Sequence, residues 1–283
     1  FKHAMTAEVA YESLLKSQRR ELHKRTGDLI ETIAPDRLDE MAAILAFHFR
    51  QAGEHQKSYR YMVRSAARAA GVFANKEAVS CFTNALASVD EGGPLAGAGP
   101  ELEPPPAAVH EALADVYYVT GRYASAAEQY DLALVTIGDS ARRVTLLRKK
   151  GQVCEKWGRY GEAKAHFEAA LDLMRKPLDT IEAGHIYSGL GLASYHEGNL
   201  DEAVELAALA LEMMETAENN RGIAQTASNL GIVYFKKEDW ANARRFHERS
   251  VDIFSRTGDV FGLAAGHNNL GLVALREGGW ETA

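Results

Sequence analysis

Hydrophobic positions along this 283-residue chain recur at helical spacing from the outset. Tyr11, Leu15, Leu22, Leu29 and Ile33 are separated by 4, 7, 7 and 4 residues, which is one stripe of an amphipathic helix, or of two helices broken at Ser17. Arg19, Arg20, Lys24 and Arg25 fall mostly off that stripe, so the apolar side is expected to pack on the helices that follow. Residues 39 to 89 predict three more helices. The first holds Met41, Ile44, Leu45, Phe47 and Phe49 before Ala52-Gly53; the second runs from Ser58 through SAARAAG; the third holds Ala78, Phe82, Ala85 and Leu86. Residues 90 to 106, DEGGPLAGAGPELEPPP, carry four glycines and five prolines, cannot continue a helix, and read as a linker or long exposed loop.

Beyond the linker a phrase recurs: GRYASA at 121, GRYGEA at 158, GNLDEA at 198, EDWANA at 238 and GGWETA at 278, with starts 37, 40, 40 and 40 residues apart. Seven residues ahead of each stands a small residue, Ala114, Gly151, Gly191, Gly231 or Gly271, preceded in four of the five by a leucine. Small residues at these points admit a second helix at close range, and the turn glycine accepts the left-handed conformation that ends the first. Each unit is therefore a helix, a tight turn and a second helix.

The order of small, aromatic, Gly, Ala, aromatic and Ala in Ala114, Tyr117, Gly121, Ala126, Tyr130 and Ala133 resembles the tetratricopeptide repeat. Later units depart from it: the usual early Trp is His110, Leu147, Tyr187, Ala227 or His267, and Glu238 takes the turn position once. The 40-residue period resembles the long-repeat subclass of kinesin light chains and Leu-Gly-Asn repeat proteins. A HEAT-type reading fits the period but not the Gly/Ala registers. The resemblance implies an all-α fold, a right-handed α-α superhelix preceded by amphipathic helices. The last unit stops at Ala283, where its second helix is due, leaving Leu270, Val273 and Trp280 near an open end; the polypeptide is expected to continue.

The opening words, "FKHAxxxEVAYESLLxxxRRELHKR", resemble the segment that closes the ATPase module of bacterial signal-transduction ATPases with numerous domains, ahead of their tetratricopeptide repeats. The family's Phe-Lys-His and Glu-x-x-Tyr match Phe1, Lys2, His3, Glu8 and Tyr11. That resemblance, which covers roughly residues 1 to 33, implies residues 1–37 as the end of a winged-helix-like region; by their own patterns 38–89 read as degenerate repeats, 90–106 as linker, and 107–283 as four repeats plus a truncated fifth. It also implies an upstream ATPase module and, in many such proteins, a class III adenylate or guanylate cyclase domain, in others a kinase or DNA-binding domain.

Composition supports helix throughout: 46% of residues are apolar, and proline is scarce outside the linker. The net charge is −7, of which −6 lies in residues 107–283 (19 Lys+Arg against 25 Asp+Glu), so a duplex nucleic-acid partner is not expected. The run KSQRRELHKR, Lys16 to Arg25, reads as a charged outer helix face in preference to a phosphate or membrane patch. Cys81 and Cys154 are too few and too far apart for a disulfide framework or zinc site, and read as reduced core residues of a cytoplasmic protein. The chain has no phosphate-binding loop, no H-E-x-x-H and no apolar run near the ~18 residues of a membrane span. Gly189-Leu190-Gly191 follows a helical pattern and reads as helix packing, not a dinucleotide loop. His185 and His196, with Glu182, lack a third ligand at helical spacing, so neither metal nor cofactor is expected and catalysis is not assigned to this chain.

In the family resembled, first helices of successive units line a concave groove. Carried onto this sequence, the groove positions include Arg148, Lys149, Gln152, Lys156, His185, Ser188, Tyr195, Gln225, Asn229, Lys236, Asn268, Asn269 and Arg276. The resemblance implies a protein or peptide partner in that groove; its basic side chains in an acidic domain suggest an acidic segment, with asparagines bonding the backbone. The same residues read equally as solvated lining. The two-carboxylate clamp of chaperone cofactors is matched loosely, by Arg148 and Gln152 alone. The expectation is a sensing arm of an ATPase-coupled signalling enzyme that contacts its own ATPase or cyclase domains, the alternative being a free-standing adaptor.

Overall fold

The computed structural model describes residues 9, 11–90, 93–96, 101–174 and 180–278. Phe1, Lys2, His3, Glu8 and Trp280 lie outside them. The described residues form thirteen α-helices and one short 3-10 turn at Pro35–Arg37, without strands, in two units that divide at Thr136 and Ile137.

The first unit holds α1 (Lys16–Ile33), α2 (Ala42–Ala52), α3 (His55–Gly71), α4 (Asn75–Ala87), α5 (Pro106–Val119) and α6 (Tyr123–Thr136). Each packs on the next, and α3 also meets α5. Three helices stand where 39 to 89 predicts them. Ala78, Phe82, Ala85 and Leu86 of α4 are all buried, as are Leu45 and Phe49 of α2. Gly53 closes α2 at φ +81°, donating to the Arg50 carbonyl, a conformation that glycine enters without steric cost. In the stretch 90–106, Leu95 and Leu102 are buried and the buried Tyr59 hydroxyl donates to the Pro104 carbonyl at 2.7 Å.

The first helix overturns one expectation. It lies on α2, but its apolar stripe does not: Leu15, Leu22, Leu29 and Ile33 are 67%, 49%, 58% and 69% exposed. The face turned inward carries His23 and Gly27. A Cβ at Gly27 would stand 2.7 Å from the Phe49 ring, so glycine is what lets α1 approach. Ile30 adds an apolar contact with the cluster of Leu45, Phe49 and Tyr61, and the other ties are polar. His23 meets His48 at 2.9 Å and the Tyr11 hydroxyl at 2.9 Å; Lys24 pairs with Glu54; Lys57 bridges Asp28 and Glu31; Tyr61 donates to Glu31. His23, Gly27 and Ile30, with their partners on α2 and α3, thus take the inner side in place of the leucines. Nor does the helix break at Ser17; the turn falls at Ser13–Leu14, just ahead of α1.

The second unit holds α7 (Ser140–Lys156), α8 (Tyr160–Leu173), α9 (Thr180–Glu197), α10 (Leu200–Thr216), α11 (Asn220–Lys236), α12 (Trp240–Thr257) and α13 (Val260–Arg276). The pairs α7–α8, α9–α10 and α11–α12 are hairpins, and each second helix packs on the first helix of the next pair. Two apolar cores run through the stack. One joins Val144, Cys154, Phe167, Ile186 and Leu190; the other joins Leu211, Met214, Ile223, Leu230 and Phe246. Asp139, Asn219, Asp239 and Asp259 cap the N-termini of α7, α11, α12 and α13 through their side chains.

Candidate protein-binding surface

The close approach of first and second helices rests on the small residues of the repeat. A Cβ on Gly151 would stand 2.7 Å from the Phe167 ring, one on Gly189 2.4 Å from the same ring, and one on Gly191 3.2 Å from the Ala203 carbonyl. The Gly-Leu-Gly of α9 is therefore a packing device. With second helices held behind α7, α9 and α11, the first helices α7, α9, α11 and α13 each lie against the next, forming one row. The thirteen groove positions all fall on that row.

On α7, Arg148 is largely withdrawn from solvent, its side chain 13% exposed, and it donates to Glu182 on α9 at 2.8 Å and to Gln152 at 3.0 Å. Its positive charge is thus met within the protein. Lys149 is half-buried, and Lys156 is exposed at the end of α7, paired at 3.2 Å with the buried Glu155. On α9, His185, Ser188 and Tyr195 are half-buried, and Tyr195 sets its ring edge-on to His196, which stacks on Tyr160 of α8 at 4.5 Å. On α11, Gln225 and Lys236 are exposed, while half-buried Asn229 donates to Ser188 at 3.1 Å, tying α11 to α9. On α13, Asn268 and Arg276 are exposed and Asn269 is half-buried.

Two partnerships thereby join residues assigned to the groove, Arg148 with Gln152 and Asn229 with Ser188, and a third recruits Glu182. Glu182 was singled out by sequence only as a neighbour of His185, and charge opposite Arg148 at 34 residues' remove gives no local signal. Open cations gather instead at the C-terminal ends of α11 and α13, as Lys236 and Arg276. Behind the row, Lys164 of α8 holds Glu197 and Glu202 at 3.1 Å each. Burial pulls the Lys164 ammonium down, and its two carboxylate hydrogen bonds more than offset this, leaving its pKa above the usual lysine value. Cys154 is buried and Cys81 half-buried. Among the described residues no group of three or more His, Cys, Asp or Glu is placed to hold a metal ion, and no helix is long and apolar enough to cross a membrane.

Known proteins place this geometry. A solved tetratricopeptide repeat protein from Parabacteroides merdae ATCC 43184 superposes with TM-score 0.62 over 94% of this chain and 89% of its own, at 16% identity. The signal-transduction ATPase PH0952 from Pyrococcus horikoshii, described as having a tetratricopeptide repeat sensor, superposes with TM-score 0.61 over 90% of this chain and 40% of its own, also at 16% identity. At such identities both likenesses concern the fold. The regulatory protein AfsR of Streptomyces griseus is 32% identical over 107 residues, 38% of this chain and 11% of its own length, so the chain matches about a tenth of that relative. The tetratricopeptide repeat family model matches residues 106–176, 182–256 and 222–283, more than half of the sequence. The chain belongs to the tetratricopeptide repeat family.

Proposed function

We propose that this chain is the partner-binding, regulatory region of a multidomain signalling protein, in which a protein or peptide segment docks on the row of first helices α7, α9, α11 and α13. Tetratricopeptide repeats are interaction modules and not enzymes, and the observation that carries the reading is that row. Small residues on α7, α9 and α11 spend one face of each on its second helix, leaving polar side chains on the faces of the four first helices that the second helices do not cover. A segment lying along it would meet Gln225, Asn229, Asn268 and Asn269, whose amides both donate and accept. The exposed Lys236 and Arg276, with Lys156, favour a segment of acidic character.

The match to a protein described as regulatory, and the likeness to a repeat sensor in a signal-transduction ATPase, support placing the row in such a protein. The opening residues' resemblance to the end of an ATPase module supports the same placement, with a nucleotide cyclase as the proposed output and those domains as intramolecular partners. Docking then shifts the output domain's equilibrium only by the difference in the partner's affinity for the two states.

A photo-reactive amino acid at exposed Gln225 would capture the occupant, with the same group at Gly161 on α8 as the comparison. Binding of the captured partner is then measured against a variant with Asn229, Lys236 and Asn269 all replaced by Ala. A loss of about tenfold or more is expected for three removed polar contacts; unchanged affinity would remove the row as the site. The cyclase output is checked separately, by cyclic-nucleotide formation in the full reading frame with and without that partner.

A further inference from the structure

In the first unit, α1 presents an outer face that the repeats leave uncovered. Seven-residue steps carry Leu15, Leu22 and Leu29 around the helix by only about 20° each, and Ile33 returns beside Leu15, so the four exposed side chains share a stripe about 40° wide. A helix that lies in a lipid surface or against a globular core needs an apolar face of about 100° or more. A stripe this narrow fits one other helix running along it, the seam of a two-helix contact.

The edges of the stripe specify the charge of that helix. Arg19 and Arg25 stand on opposite sides of it, about 60° from Leu22 by helical geometry. Arg19 is held in place by donating to the Leu14 and Glu12 carbonyls at 3.0 and 2.7 Å while its guanidinium lies 4.8 Å over the Tyr11 ring; these partners are neutral, so its charge is not cancelled. Arg25 pairs with Glu21 one turn back in a solvent-exposed contact. Lys16 stands about 120° from Leu22, and Arg20, about 160° from it, lies on the inner side beside Gly53, so Arg19 and Arg25 are the cations that edge the stripe. Beside Leu22, an open concavity of about 400 Å³ lined by Leu14, Ser17, Gln18, Glu21, Leu22 and Arg25 offers a hole for one large apolar side chain. A second copy of α1 would bring arginines against arginines when its seam is aligned in register. An anionic lipid surface would meet the exposed carboxylate of Asp36 just past Ile33, where Asp39 and Glu40 are already paired with Arg64 and Arg37.

We propose that the outer face of α1 is a docking seam for an amphipathic helix of another protein, with apolar residues at 3.5-residue spacing and Asp or Glu along its edges, seating one large side chain between Leu14 and Leu22. This seam is separate from the row on α7 to α13 and stands or falls without it.

The test uses two synthetic helical peptides with the same leucine seam, one edged with Glu and one with Lys, titrated into the intact chain by fluorescence anisotropy below their own self-association. The Glu-edged peptide is expected to bind about tenfold or more tightly than its Lys-edged twin, as two opposed charge pairs would give. Leu22→Glu, at a site already in water, is expected to weaken it about tenfold, with the helical circular dichroism unchanged. The double variant Arg19→Glu, Arg25→Glu is expected to reverse the preference. Equal binding of both peptides, or binding of neither, overturns the proposal. So does flotation of the chain with phosphatidylserine vesicles in place of peptide binding, or a concentration-dependent dimer that Leu22→Glu dissolves.

Discussion

The imidazole of His247 lies flat in the space that Gly231 leaves open: a Cβ on that glycine would stand 2.5 Å from the ring. His247 occupies the register where Tyr130 and Phe167 stand in earlier units. It is 1% exposed, and its Nδ1 has no hydrogen-bond partner in the protein. Burial therefore disfavours the charged form and pushes its pKa down to about 4.

That shift makes stability depend on pH in a stated direction. Above pH 6.5, the ordinary value for an exposed histidine, His247 is neutral in both the folded and unfolded states and contributes no pH dependence. As pH falls below it, the unfolded chain takes up a proton that the folded chain refuses until about pH 4, so stability is lost across that window. The expected loss between pH 7.5 and 5 is about 2 kcal/mol from this residue. Urea unfolding of the wild type and of His247→Phe at both pH values checks it. The variant should lack that part of the slope, and parallel slopes would show that His247 is not the group responsible.

Glycines at helix contacts should respond to Ala according to what their missing Cβ would meet. Gly231→Ala and Gly189→Ala drive a methyl into the His247 and Phe167 rings, at 2.5 and 2.4 Å, and are expected to cost about 1–3 kcal/mol through overpacking. Gly161→Ala on α8 meets nothing within 4 Å and is expected to stabilise by about 0.5 kcal/mol through helix propensity. Midpoints of denaturant unfolding would order the three.

The turn after α11 should gain from a glycine. Glu238 adopts φ +62° where Gly158 and Gly198 adopt +80° and +88°, so its Cβ bears the left-handed penalty that the glycines avoid. Glu238→Gly is expected to raise stability by about 0.5–1 kcal/mol after the extra entropy of the unfolded chain is counted. Gly158→Ala should lose about 1 kcal/mol by the reverse argument. A thermal melt in which Glu238→Gly falls below the wild type would contradict the strain.

Arg148 and Glu182 join α7 to α9 with both side chains largely out of water, 13% and 16% exposed. A double-mutant cycle to Ala at this pair is expected to give a coupling of about 1–2 kcal/mol. The exposed Arg37–Glu40 pair should give about 0.5 kcal/mol or less. Equal couplings would mean that solvent screens the inner pair as fully as the outer one.

Much of this architecture was legible in the residues because its causes are local. A turn glycine needs left-handed backbone whatever surrounds it, and a small residue seven positions earlier records how near the second helix must come. Gly121, Gly158 and Gly198 all take positive φ, and Glu238, read from the phrase alone as a stand-in for glycine, does too. The candidate row was legible only as a set of positions. That Arg148 is answered by Glu182 and Asn229 by Ser188 depends on side chains 34 and 41 residues apart, which periodicity does not rank.

By itself the sequence determined the helices, their pairing and their 40-residue repeat, because hydrophobic period and glycine conformation are properties of the backbone within one or two turns. The tertiary structure decided which face of a helix is buried. On α1 the leucine stripe predicted burial. Two polar attachments on α2 and α3, His48 for His23 and Lys57 for Asp28 and Glu31, together with the Gly27 approach to Phe49 and the packing of Ile30 on the same core, turned the other side inward. Packing sums the contacts that a whole surface makes with its neighbours, and hydrophobicity along one strip of one helix is only part of that sum.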